Sequence, residues 1–148
     1  MIKENVIKRG ASAVWKGRIK EGDGRVSTES GVLAEARYGY STRFESEAGT
    51  NPEELIAAAH ASCFAMALAG QLEAVKLTAQ SLNVMATVTL DKGEAGWTVT
   101  EIHLDVAAKI PGVQADKFVT AANNAKAGCP ISRLLGAAAK ITMTARLT

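Results

Sequence analysis

The stretch NPEELIAAAHASCFAMALAGQLEAV, residues 51–75, constrains this chain more than any other. It reads as one long helix. Asn51 suits the N-cap, Pro52 suits the first helical position, and Glu54 gives a capping-box-like arrangement. Ala, Leu and Met then carry the helix past Gly70 to about Val75. Its middle turns have almost no polar face, and a helix that is hydrophobic all round is a buried one. One domain of 148 residues can hardly cover such a helix on every side. A second subunit is the obvious cover, so the sequence predicts an intimate homo-oligomer.

The rest of the chain arranges strands around helices. Residues 11–44 read as strands joined by Gly-rich turns. Ala13, Trp15, Gly17 and Ile19 alternate with Val14, Lys16 and Arg18, EGDGR supplies turn chemistry, and VSTESGVLAEARYGYSTRF continues with β-branched and aromatic residues. After the long helix, Leu82, Val84, Ala86, Val88 and Leu90 alternate, DKGEAG turns the chain, and Ile102, Leu104 and Val106 alternate again. This pattern predicts a β-hairpin. A helix from about Asp116 ends near Gly128, Pro130 restarts it as ISRLLG, and KITMTARL forms a last strand. Strands and helices do not alternate singly, so the expected class is α+β with antiparallel sheet in one domain, residues 1–148.

Composition narrows the partners. Seventeen basic and 15 acidic residues leave a net charge of +2, too small and too evenly spread for nucleic-acid binding. The N-terminus MIKENVIKRG lacks the apolar stretch of a secretory signal. His60, Ser62 and Gln71 interrupt the long helix, so no membrane span is expected. Two cysteines without a signal sequence point to a reducing, cytoplasmic setting. A disulfide there would be transient and catalytic rather than structural.

Those cysteines carry the chemistry. Cys63 lies in the middle of the long helix, and Cys129 lies in AKAGCPISRLL at the break between two helical pieces. Such a pair can be a reactive thiol and its partner, or two core residues, since free cysteine is among the most buried residue types. His60, three positions before Cys63, shares its helical face. It is read as a core or interface histidine, with a Cys63–His60 hydrolase or acyltransferase as the rival enzyme. His103, between Ile102 and Leu104, is expected to be a solvated strand residue. The two cysteines and two histidines match no zinc spacing.

With GTNPEELIAAAHASCFAMAL, AKAGCPISRLL, GRVSTESGVL and YSTRFESEAGTNPEEL in view, the chain resembles the OsmC/Ohr family of thiol peroxidases, and its OsmC branch best. The resemblance implies an α+β fold of two intertwined subunits with shared active sites. It implies reduction of hydroperoxides, organic ones above all, at the expense of a dithiol, possibly a lipoyl type, with no cofactor. Cys63 matches the peroxidatic cysteine, Cys129 the resolving cysteine, and Glu53 the glutamate of the NPE motif. For the arginine, Arg43 of the TRF segment is the first choice and Arg25 the fallback.

The chemistry explains those residue types. Only a thiolate attacks peroxide oxygen, and burial in a helix raises a thiol pKa. An arginine can compensate with a permanent charge and a rigid fork of donors, and a carboxylate such as Glu53 would hold that fork in place. The sulfenic acid left on Cys63 condenses with a second thiol. Amide N–H groups at the helix break would lower the pKa of Cys129. A non-catalytic dimeric module with an apolar interfacial pocket is the remaining alternative.

Overall fold

The computed structural model describes residues 5–148. Two compact units emerge, Met1–Pro52 and Glu53–Thr148.

In the first unit, β1 (Ala11–Lys16), β2 (Asp23–Thr28) and β3 (Ala36–Tyr38) form an antiparallel sheet in that order. Gly17, at φ 97°, opens the β1–β2 turn, and Gly22 N–H donates to Arg18 O at 2.8 Å. Two segments expected to be extended are not. After Thr28 the chain loops: the Thr28 hydroxyl accepts from Leu33 N–H at 3.0 Å, and Thr28 N–H donates to Leu33 O at 2.9 Å. The segment YSTRF is a short helix, α1 (Tyr40–Phe44), rather than a strand. Its Thr42 hydroxyl accepts from Gly39 N–H at 2.8 Å and donates back to Gly39 O at 3.1 Å. In both places a threonine bonds its own neighbourhood and outcompetes the sheet ladder. Arg43 is therefore a helical residue.

The helix predicted over residues 52–75 is α2 (Pro52–Ala74). Lys76 ends it at φ 60°, and Leu77 N–H reaches back to Leu72 O at 2.9 Å, a left-handed stop of the Schellman kind. Then β4 (Ser81–Gly93) and β5 (Gly96–Lys109) form the expected hairpin, with Glu94 and Ala95 alone at its tip. Helix α3 (Ala115–Gly128), helix α4 (Pro130–Leu135) and strand β6 (Lys140–Leu147) follow. The sheet order is β4-β5-β6. Strand β6 runs parallel to β5, where antiparallel pairing was expected. The reason lies between them: α3 and α4 form a crossover that returns the chain to the end at which β5 began. The α+β class stands.

Alternation on β5 buries Ile102, Leu104, Val106 and Ala108 completely. Phe64, Leu68 and Leu72 of α2 and Phe118, Ala121, Ala122 and Ala125 of α3 pack with Leu104, Val106 and Ala108 in one core. Within α2 the buried positions are His60, Phe64, Leu68 and Leu72, a single stripe at intervals of four. Burial on all sides is thus not what one chain provides. Its other faces are apolar but uncovered: Met66 is 77% exposed, and Ala58, Ala59, Ala69 and Gly70 are exposed as well. With a mean hydropathy of 1.5, α2 is also long and apolar enough to cross a membrane. The polar interruptions at His60, Ser62 and Gln71 do not exclude that by length and composition. What holds α2 here is its stripe in the second unit's core.

Candidate active site

The second unit brings the two cysteines together. The dipeptide Cys129-Pro130 builds one side. A proline disfavours helical backbone in the residue before it, and Cys129 is extended at φ −60°, ψ 134°. One residue then serves two helices. Cys129 N–H donates to Ala125 O at 3.0 Å, closing α3, and Cys129 Sγ accepts from Ser132 N–H at 3.3 Å, capping α4. Pro130, with no N–H to satisfy, opens α4 as expected. Cys63 approaches from the middle of α2. Both thiols are free, Cys63 half-buried and Cys129 buried, and each perturbs the other's ionisation.

Their ionisation differs. Burial pushes the Cys63 thiol up, the Ile131 amide pulls it down, and the hydrogen bond and charge of Cys129 push it up again; the outcome is a raised pKa. Burial also pushes Cys129 up. There the Ser132 hydroxyl, the Cys63 thiol and the amides of Ser132 and Ile131 outweigh it, and the pKa is lowered. The two shifts run in opposite directions, so Cys129 is the more readily ionised thiol of the pair. Both expectations hold: amides at the helix break lower Cys129, and burial raises Cys63.

His60 is fully buried. Its Nε2 lies 2.7 Å from Ser132 Oγ, while its Nδ1 is buried with no partner among the described residues. Burial lowers its pKa and favours the neutral ring. The histidine is a core residue, as expected, and its bonded nitrogen serves Ser132 rather than Cys63. Among the described residues no hydrogen bond joins His60 to Cys63, so the structure gives the Cys63–His60 hydrolase alternative no support. Ser132 itself went unnoticed in the sequence. Its signal was the spacing Cys129-Pro-Ile-Ser132, which places it three residues past a helix cap, where capping partners stand.

The remaining predicted residues have their own places. Glu53 lies in the first turn of α2, about 15 Å along the helix axis from Cys63 at 1.5 Å per residue. Arg43 belongs to the first unit. Its guanidinium lies 5.2 Å from the Phe44 ring centroid, and it lines a cavity of about 110 Å³ with Trp15, Tyr38, Tyr40, Phe44 and Pro52. Arg25 on β2 has its fork on Asp23: Nε to Oδ2 at 3.1 Å and Nη2 to Oδ1 at 3.1 Å. His103 departs from expectation. It is half-buried, its Nδ1 lies 2.7 Å from Thr142 Oγ1, and its Nε2 lies 3.3 Å from Thr144 Oγ1. Pairing of β5 with β6 sets those hydroxyls beside it, and β6 direction was the part of the sheet that alternation did not reveal.

Comparison with known proteins fits this geometry. Residues 45–144 match the family described as OsmC-like protein. The chain is 50% identical over 131 residues to peroxiredoxin OsmC of Escherichia coli K12, covering 88% of this chain and 92% of that one. The Shigella flexneri peroxiredoxin OsmC gives the same figures. Among solved structures, an organic hydroperoxide resistance protein from Elizabethkingia anophelis superposes with a TM-score of 0.78 at 25% identity, covering 99% of this chain and 100% of that one. OhrB of Bacillus subtilis shares the fold, with a TM-score of 0.70 at 22% identity, covering 93% of this chain and 98% of that one. With two free thiols that perturb each other's ionisation, and half its sequence shared with a peroxiredoxin over nearly the whole of both chains, the chain belongs to the OsmC family of thiol peroxidases.

Proposed function

We propose that this thiol peroxidase reduces organic hydroperoxides, and hydrogen peroxide more weakly, through Cys63. The Cys63 thiolate attacks the terminal peroxide oxygen. The O–O bond breaks, the alcohol leaves with a proton, and Cys63 becomes a sulfenic acid. Cys129 then attacks the Cys63 sulfur, a disulfide forms, and water leaves. A dithiol, possibly lipoyl, restores both thiols by exchange. A reducing cytoplasm suits this cycle. The observation that carries it is the pairing of two free cysteines, Cys63 in mid-helix and Cys129 at the helix break, near enough to shift each other's ionisation. Residues 1–148 act as one domain in this reading, and the family match, residues 45–144, runs across the boundary of the two units.

The test is a thiol count. Reduced protein mixed with cumene hydroperoxide is expected to lose both thiols and gain one intramolecular disulfide, at lower doses than with hydrogen peroxide. Retention of both thiols would leave the non-catalytic binding module as the better account.

The bare faces of α2 support a homodimer. Ala59 and Gly70 are exposed on α2, and with Ala67 they share the face of Cys63, so a second helix could cross closely. A straight helix keeps Glu53 from its own Cys63, and antiparallel crossing would bring it to the partner's. Refolding Cys63→Ser together with Glu53→Ala is then expected to restore one site per heterodimer. Heterodimers that form and stay inactive would place Glu53 in the site of its own chain.

A further inference from the structure

Helix α4 is anchored by a polar bond instead of by apolar packing. Among the described residues it adds no side chain to the core cluster of the second unit, and Ser132 is its one buried residue. Ser132 Oγ lies 2.7 Å from Nε2 of His60 on α2; the serine is 3% exposed and the histidine 0%. This bond sits symmetrically about the thiols. His60 precedes Cys63 by three positions, and Ser132 follows Cys129 by three. Residues three apart on a helix are neighbours on its surface. Ser132 N–H also donates to Cys129 Sγ at 3.3 Å. One side-chain bond therefore ties the part of α2 that bears Cys63 to the turn that bears Cys129.

Packing alone does not account for His60. The buried stripe of α2 is His60, Phe64, Leu68 and Leu72, and a leucine at its start would extend it with no polar atom to satisfy. The histidine leaves Nδ1 buried without a partner among the described residues, and an unsatisfied buried group calls for a reason. Its other nitrogen supplies one. A buried hydroxyl needs a hydrogen-bond partner, and His60 Nε2 is the partner of Ser132. Either ring tautomer can make this bond, with donor and acceptor exchanged.

We infer that the His60–Ser132 bond is a brace: it registers the start of α4 on α2 and so keeps Cys129 within reach of the Cys63 sulfur when the sulfenic acid forms. His60 and Ser132 are then positioning residues, and neither changes covalently. This rests on Cys129 being the resolving thiol. In that step Cys129 gives up its proton and its electron pair attacks the Cys63 sulfenic sulfur. The S–S bond forms, the S–O bond breaks, and the departing hydroxide takes up a proton to become water. The rival fate of the same sulfur needs a second peroxide. The Cys63 sulfenate attacks it, the O–O bond breaks, an alcohol leaves, and a sulfinic acid remains. Which fate wins depends on how well Cys129 is held in place, and that is what a brace on α4 sets.

The experiment sets the two fates against each other. Reduced chain is mixed with graded cumene hydroperoxide, and mass spectrometry counts disulfide against sulfinate on Cys63. Ser132→Ala is expected to reach half sulfinate at about tenfold less peroxide than the unaltered chain, a modest loss for a loosened reacting group. His60→Leu should show the same shift, and the double variant should add little, because both remove one bond. His60→Gln, whose side-chain amide offers both a donor and an acceptor, should bring the dose back. A merely structural role would not move this readout. Both products come from one sulfenic acid, so loss of folded protein lowers them together. An unchanged dose in Ser132→Ala overturns the inference even if His60→Leu fails to fold, and so does a His60→Gln that behaves like a folded His60→Leu. An unaltered chain that forms no Cys63–Cys129 disulfide overturns the peroxidase reading and the brace with it. An unaltered chain that forms it, beside a Ser132→Ala that over-oxidises no sooner, overturns the brace alone.

Discussion

Cys63→Ser is expected to abolish peroxide turnover, and Cys129→Ser to leave one turnover followed by over-oxidation. On the proposed roles the two variants fail differently. Without Cys63 the cysteine left is Cys129. Cys129 is the more acidic thiol, yet it is 1% exposed and held by Ser132 N–H. Low pKa alone does not make a thiol reactive when access is lacking. Without Cys129 the sulfenic acid on Cys63 forms but meets no second thiol, and excess peroxide carries it to sulfinic and sulfonic acid. Mass spectrometry after graded cumene hydroperoxide checks both. Full turnover by Cys63→Ser, or a lasting unoxidised Cys63 in Cys129→Ser, would sink these assignments.

What the sequence disclosed about this site follows from range. Cys129-Pro130 states its own geometry, because proline restricts its neighbour and ends a helix; the break and its lowered thiol were readable. The strands β4, β5 and β6 were readable from alternation. Their pairing direction was not, because alternation looks the same in parallel and antiparallel strands; only the two helices between β5 and β6 fix it. The short helix at Tyr40–Phe44 was hidden because one Thr42 hydroxyl, with bonds to both Gly39 N–H and Gly39 O, outweighs five residues of mixed propensity. The contact of His60 with Ser132 spans 72 positions, and no local pattern encodes a distance of that kind. The long helix was read correctly in extent, and its incomplete cover within one chain is what that reading expected. Composition reports how apolar a helix is, and the number of neighbours available to cover it is a property of the assembly.

Arg43→Ala is expected to slow the peroxide step by about a hundredfold or more, the scale for removing one preorganised donor from a charge-stabilising site. The need arises within the thiol pair. Cys129 has a lowered pKa, and Cys63 a raised one from its burial and from Cys129. On the proposed cycle the attacking charge sits on Cys63, and a cation would favour it there. Of the two candidate arginines, Arg25 has its fork on Asp23 through two bonds of 3.1 Å. Arg43 lines a cavity with Trp15, Tyr38, Tyr40, Phe44 and Pro52, and it is the arginine that the TRF resemblance puts first. The pH profile separates the two tasks of a cation. Loss of the positive charge raises the Cys63 pKa, so the defect should be greatest at low pH and shrink as rising pH forms the thiolate unaided. Whatever defect remains at high pH measures the lost support for charge on the departing oxygen. Arg43→Lys should recover part of the first effect and little of the second, because a point charge lacks the two-pronged donor geometry. Stopped-flow thiol oxidation across pH, with Arg25→Ala alongside, decides the matter. A large defect in Arg25→Ala with none in Arg43→Ala would transfer the role to β2.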